Sequence, residues 1–161
     1  MKNRLIAVIV LMMAATFSSP AAAQWRFDDT GTEARAYVIG AANTLMGFRC
    51  TSEPDARQQI MLDLQVVPST TQPDAEEVAH FQIGTWTFDV ETLPIGNLRS
   101  DGTQAYQSRF DYDHPVIQNL RRQIAGGSRV SFTRTFDFAA MSFNLRGSRV
   151  AMTQLDSACH R

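Results

Sequence analysis

The chain carries two cysteines, Cys50 and Cys159, the second only two residues from the end. A bond between them would constrain the fold more than any other feature, because it would tie the tail to a segment in the first third of the chain. The opening residues set the compartment in which such a bond would have to form. Lys2 and Arg4 make a positive start, residues 5–15 are apolar, and Ala21 and Ala23 supply the small residues of a cleavage site. Residues 1–23 therefore read as a secretory signal peptide, cut between Ala23 and Gln24. The apolar run is shorter than the roughly 20 residues a membrane-spanning helix needs, and no later stretch is apolar enough to span. Export brings the chain into oxidising surroundings, where an even cysteine count favours a disulfide between Cys50 and Cys159. Closing a loop of this length contributes about 4–5 kcal/mol in the chain-entropy model, before native strain is subtracted. The sequence has no C-x-x-C spacing, which argues against a catalytic thiol or zinc pair.

Residues 24–161 number 138 and suit one periplasmic domain. Most of it alternates apolar and polar residues, the period of a half-buried strand. In 60–67, Ile60, Leu62, Leu64 and Val66 share a face, against Met61, Asp63 and Gln65. Met46, Phe48 and Cys50 point one way, which turns the thiol inward. Phe81 and Ile83 form one alternating piece and Trp86, Phe88 and Val90 another, with a bulge or tight bend near Gly84. Trp86 is expected in the core and Trp25 near the surface. Further alternation appears at Tyr106, Ser108 and Phe110, at Val130 and Phe132, and at Met141, Phe143 and Leu145. The alanine-rich stretch 34–45 fits either a strand or a helical turn.

Two segments have helical spacing. In "DHPVIQNLRRQIAGG", Asp113 is placed to cap, Pro115 suits the first turn, and Val116, Ile117, Leu120 and Ile124 share a face before Gly126 and Gly127 end it. A closing helix over 148–158 places Ala151, Met152, Leu155 and Cys159 on one side. Polar connections at 67–77 and 93–102 read as surface loops, where binding residues gather. The expected fold is α+β and β-rich: an antiparallel sheet or small β-sandwich with one internal helix and a short, disulfide-tethered C-terminal helix.

Chemistry is sparse. The three histidines, His80, His114 and His160, lie far apart in sequence, and no G-x-S-x-G, H-E-x-x-H or phosphate-binding glycine loop is present. Asp111, Asp113 and His114 are close enough in sequence to be weighed as a small hydrolase site or an incomplete cation site. The helix-start reading accounts for them more simply. No cofactor, metal or catalytic residue is assigned, and the expected function is non-enzymatic. Charge is distributed unevenly. Residues 24–161 hold 13 arginines against 16 acids, a net charge of −3, and no lysine. Eight of those arginines, but only four acids, fall in 104–161. Arg121, Arg122, Arg129, Arg134, Arg146 and Arg149 are thus candidates for a binding face towards an anionic glycan or an envelope protein. Nucleic acid is an unsuitable partner for an exported chain. A third reading makes the 93–102 loop a wedge that blocks an enzyme.

The order of strand, helix, Gly-Gly, strand and "FNLRGSRVAMTQLDSAC" resembles small exported proteobacterial proteins of the invasion-associated locus B type, carried by Phe143, Leu145, Gly147, Ala151, Leu155 and Cys159. Periplasmic accessory proteins of type VI secretion loci are similar at the same end. The resemblance covers about residues 104–159. It implies a β-rich periplasmic domain and transfers no catalytic or ligand residue, because the shared positions are packing positions.

Overall fold

The computed structural model describes residues 24–51, 59–68, 77–134 and 137–160, and for 137–139 the backbone alone. The expected signal peptide, most of the 67–77 loop and the last residue lie outside the described residues. Nine strands are described: β1 (Arg26–Asp29), β2 (Glu33–Ile39), β3 (Leu45–Thr51), β4 (Gln59–Val66), β5 (Glu77–Ile83), β6 (Trp86–Ile95), β7 (Gln104–Asp111), β8 (Arg129–Arg134) and β9 (Asp137–Asn144). Two α-helices join them, α1 (Pro115–Gly126) and α2 (Ser148–Cys159). The stretch 34–45 resolves as β2, a single 3-10 turn at Ala41–Asn43 and the start of β3.

Every pairing is antiparallel, in the order β1-β2-β3-β4-β7-β6-β5-β8-β9. The long strand β6 serves two halves. Trp86–Thr92 pair with β5, and Leu93–Ile95 pair with β7. The phase change at Gly84 is a tight hairpin, since Ile83 faces Trp86 across Gly84 and Thr85. Gly84 has φ 60°, which the turn requires and an L side chain rarely adopts. The sheet rolls until its ends approach one another. Just before β1, the Trp25 N–H donates to the Arg146 carbonyl past β9 at 3.1 Å. Trp25 is buried there and stacks on Phe48, contrary to the surface position expected for it.

Inside the roll the alternation holds: Ile60, Leu62, Leu64, Val66, Met46, Phe48, Phe81, Phe132 and Phe143 are all buried. Met61 is buried too, on the opposite face, where the register sets it between Arg49 and Arg109, whose aliphatic stems suit such cover. That outer face carries a polar ladder. Arg49 reaches Asp63 and Glu33 at 2.9 Å each, and Gln107 donates to Asp63 at 2.8 Å. Those bonds hold the Arg49 guanidinium firmly charged, Asp63 contributing most.

Helix α2 lies on β1, β2 and β3 through Ala151, Met152 and Leu155. Burying each of the two larger side chains contributes about 1.5–3 kcal/mol. Cys159, at its end, bonds to Cys50 of β3 with Cα atoms 5.9 Å apart. Helix α1 packs on α2 and β6 through Ile117, Leu120 and Ile124. The Ser148 hydroxyl donates to the Ile124 carbonyl at 2.7 Å, joining the end of α1 to the start of α2. Gly127 lets the chain leave α1 tightly, since a Cβ there would meet Ile83 at 2.8 Å and the Gln123 carbonyl at 2.9 Å. The expected Asp113 cap is displaced. Pro115 occupies the first helical position, so His114 is the N-cap residue, and no side chain bonds there.

The core also encloses charge. Arg134, 1% exposed, pairs with buried Glu77 at 3.4 Å, and its guanidinium lies 4.5 Å from the centre of the Tyr106 ring. The Tyr106 hydroxyl donates to Glu77 at 3.3 Å, and Thr92 donates to the Glu77 carbonyl at 2.9 Å. Burial chiefly pushes the Tyr106 phenol above its ordinary range.

Candidate functional site

Among the described residues, a groove and a furrow form depressions where elements diverge. The larger, about 710 Å³, opens where β6 leaves β7 to join β5. Above the fork, Leu93–Ile95 pair with Ala105–Gln107, and below it the two strands separate. Ser108 reaches across the opening to the Glu91 carbonyl. The groove is lined by apolar Leu93, Ile95 and Val116, by acidic Asp89 and Glu91, and by Arg109. Leu93 is 56% exposed, and Ile95 and Val116 are exposed as well. Val116 was expected on the buried face of α1. It lies in the first turn, where the helix enters the fork, so its side chain meets the groove.

The 93–102 segment is only partly a loop. Its first three residues complete β6, and the rest is a pinned turn. The Arg99 N–H donates to Thr103 at 2.8 Å, and Asp101 accepts from the Thr103 amide at 3.0 Å and its hydroxyl at 2.6 Å. Those hydrogen bonds lower the Asp101 carboxyl below its ordinary range. Arg99 also donates to Gln65 at 3.0 Å, fastening the turn to β4.

The second depression, about 450 Å³, is a furrow between α1 and α2. It gathers Arg121 and Arg122 from one helix and Arg149, Asp156 and His160 from the other. Arg121 is buried and pairs with Asp156, and it donates to the Tyr112 hydroxyl at 2.9 Å while lying 4.6 Å from that ring's centre. Tyr112 in turn donates to Asp156. Desolvation is the chief influence on Arg121, pulling its pKa below the ordinary value.

The six candidate arginines therefore divide. Arg121, Arg122 and Arg149 share the furrow. Arg134 is enclosed in the core and cannot belong to an exposed face. Arg129 lies on β8 beside Ser142, and Arg146 follows β9 at the sheet closure. Sequence phase held a signal for both buried arginines. Arg134 follows Val130 and Phe132 at strand spacing, and Arg121 sits in the stripe of Ile117, Leu120 and Ile124. Asp111 and Asp113 are exposed, and His114 packs its ring 5.2 Å from Phe110 at the groove. No hydrogen bond joins the three side chains, and among the described residues no three His, Cys, Asp or Glu cluster as a metal site. Trp86, expected in the core, is 51% exposed because it ends the β5–β6 hairpin beyond the covered part of the sheet. Among the described residues, no helix is long and apolar enough to cross a membrane.

No family model matches the chain, and no curated protein matches it. Among solved structures, it is similar to the crystal structure of invasion associated protein B from Bartonella henselae, at 14% identity and a TM-score of 0.46. That likeness covers 84% of this chain and 99% of the other.

Proposed function

We propose that the protein is a non-enzymatic binding or accessory protein of the bacterial cell envelope, exported to the periplasm, and that it docks a partner protein in the groove at the β6–β7 fork. The observation that carries this reading is the exposure of Leu93, Ile95 and Val116 together in one depression, rimmed by charges of both signs. Neighbouring exposed apolar side chains with a polar rim are a common mark of protein contact. The Cys50–Cys159 disulfide and the signal-peptide pattern at 1–23 support the periplasmic assignment. No contact among Asp111, Asp113 and His114 favours the hydrolytic alternative. The inhibitor reading merges with the docking reading, since Leu93 and Ile95 are the exposed apolar residues at the start of that segment.

The test is photo-crosslinking in the periplasm from a reactive amino acid introduced at position 93. The expected result is one dominant adduct that disappears when Ile95→Asp is added. An absence of adducts above background, or an adduct indifferent to Ile95→Asp, would sink the reading.

A further inference from the structure

The furrow between α1 and α2 has an excess of positive charge that its own residues do not neutralise. Arg121, Arg122 and Arg149 face it with Asp156 as the one carboxylate among its lining residues, and His160 closes the end. Asp156 is already engaged by Arg121 and by the Tyr112 hydroxyl. The Nε of Arg121 is buried and has no hydrogen-bond partner among the described residues. A buried charged donor left unsatisfied is costly, and an oxyanion bound beside the guanidinium offsets that cost through its field without touching Nε itself. The other two guanidiniums are held loosely at the rim. Arg122 donates to Asn119 at 3.3 Å and Arg149 to the Ala125 carbonyl at 3.4 Å. Each contact uses one of five N–H donors, which leaves planar forks suited to oxyanions.

We propose that this furrow binds a tetrahedral dianion, free phosphate or sulfate or a phosphate ester on a sugar. Three guanidiniums against one carboxylate leave an excess of two charges, which a dianion matches and a single carboxylate does not. The site is held in shape from two sides. The Cys159 disulfide fixes the end of α2 beside Asp156 and His160, and the Ser148–Ile124 bond fixes the other end. The site is separate from the fork groove, so it stands or falls independently of the docking reading.

The experiment follows the arginine Nε–Hε signals of the oxidised mature protein by NMR at low ionic strength, titrating inorganic phosphate and, separately, a hexose phosphate. Saturable millimolar shifts of the Arg121 signal are expected, lost in Arg149→Glu and weakened up to about fivefold in Arg122→Ala. Both positions are exposed, and thermal melting confirms that the variants fold; Arg122→Glu replaces Arg149→Glu if that variant does not. Tighter binding of the hexose phosphate identifies the ester as the natural form, and equal binding the free anion. Leu93→Asp should bind phosphate as the parent does. The proposal is overturned by no saturable shift, by the same shift with chloride at matched ionic strength, or by shifts that survive charge reversal.

Discussion

Arg134 and Arg121 lie over tyrosine rings at nearly equal distances, 4.5 Å from Tyr106 and 4.6 Å from Tyr112. In each case the tyrosine hydroxyl donates to the carboxylate that pairs with the arginine, Glu77 in one trio and Asp156 in the other. The chemistry is the same, and the surroundings are not. Glu77 is sealed between the two halves of the rolled sheet, whereas the Asp156 side chain is half exposed between two helices. An enclosed trio has no access to an outside ligand, and its contribution is to specify one packing of the core. An open trio keeps donor capacity at the surface and can hand it to a ligand.

Breaking the enclosed trio should have the largest effect. Glu77→Gln removes the buried carboxylate that pairs with Arg134 and should cost about 3–5 kcal/mol, read as a lowered urea midpoint. Replacing both charges, as Glu77→Leu with Arg134→Met, should recover most of that loss, because the desolvation penalty goes with them. A double variant as unstable as Glu77→Gln would show that shape, not charge, governs the site. Removing the disulfide with Cys50→Ser and Cys159→Ser should cost about 2–5 kcal/mol. Hydrogen exchange should then speed in α2, which bears Asp156, well before it speeds in β5 and β8. Equal acceleration in all three elements would mean that the two trios belong to one cooperative unit.

The open trio should yield smaller changes. Asp156→Asn should cost about 1–3 kcal/mol, less than Glu77→Gln because only the Arg121 side of this pair is buried and the Tyr112 hydroxyl still accepts from it. A loss as large as that of Glu77→Gln would erase the distinction. The smallest expected effect is alkaline. The folded Tyr106 phenol titrates above its unfolded value. Its contribution is therefore complete below about pH 10 and is lost as pH rises through the folded value. Melting temperature should fall more steeply above that point in the parent than in Tyr106→Phe. Parallel slopes would remove burial of the phenol as the cause.

Most strands and both helices are legible in the sequence because one face of each meets the core and alternation or helical spacing records it. Met46, Phe48 and Cys50 point inward as their spacing requires, and Cys159 follows Met152 and Leu155 onto the buried stripe of α2. The misplacements have a common physical origin, since periodicity reports a face and not how far along the element the cover extends. Trp86 has the right phase but sits at a hairpin tip, and Trp25 gains cover only when two sheet edges come together. Charge was read as exposure, which concealed Arg134 and Arg121 although both follow apolar neighbours in phase. Neither depression could be read from the sequence. The groove depends on where β6 exchanges one partner strand for another, and the furrow on the meeting of two helices.

The covalent tie also imposes an order in time. A ribosome produces Cys50 109 residues ahead of Cys159, roughly 5–20 s earlier at usual elongation rates. For that interval the first thiol has no intramolecular partner, since this chain contains no other cysteine to form a wrong pair. Mispairing can then arise only between molecules or with small thiols, so crowding during production should set the yield of correctly closed protein more than its final stability does.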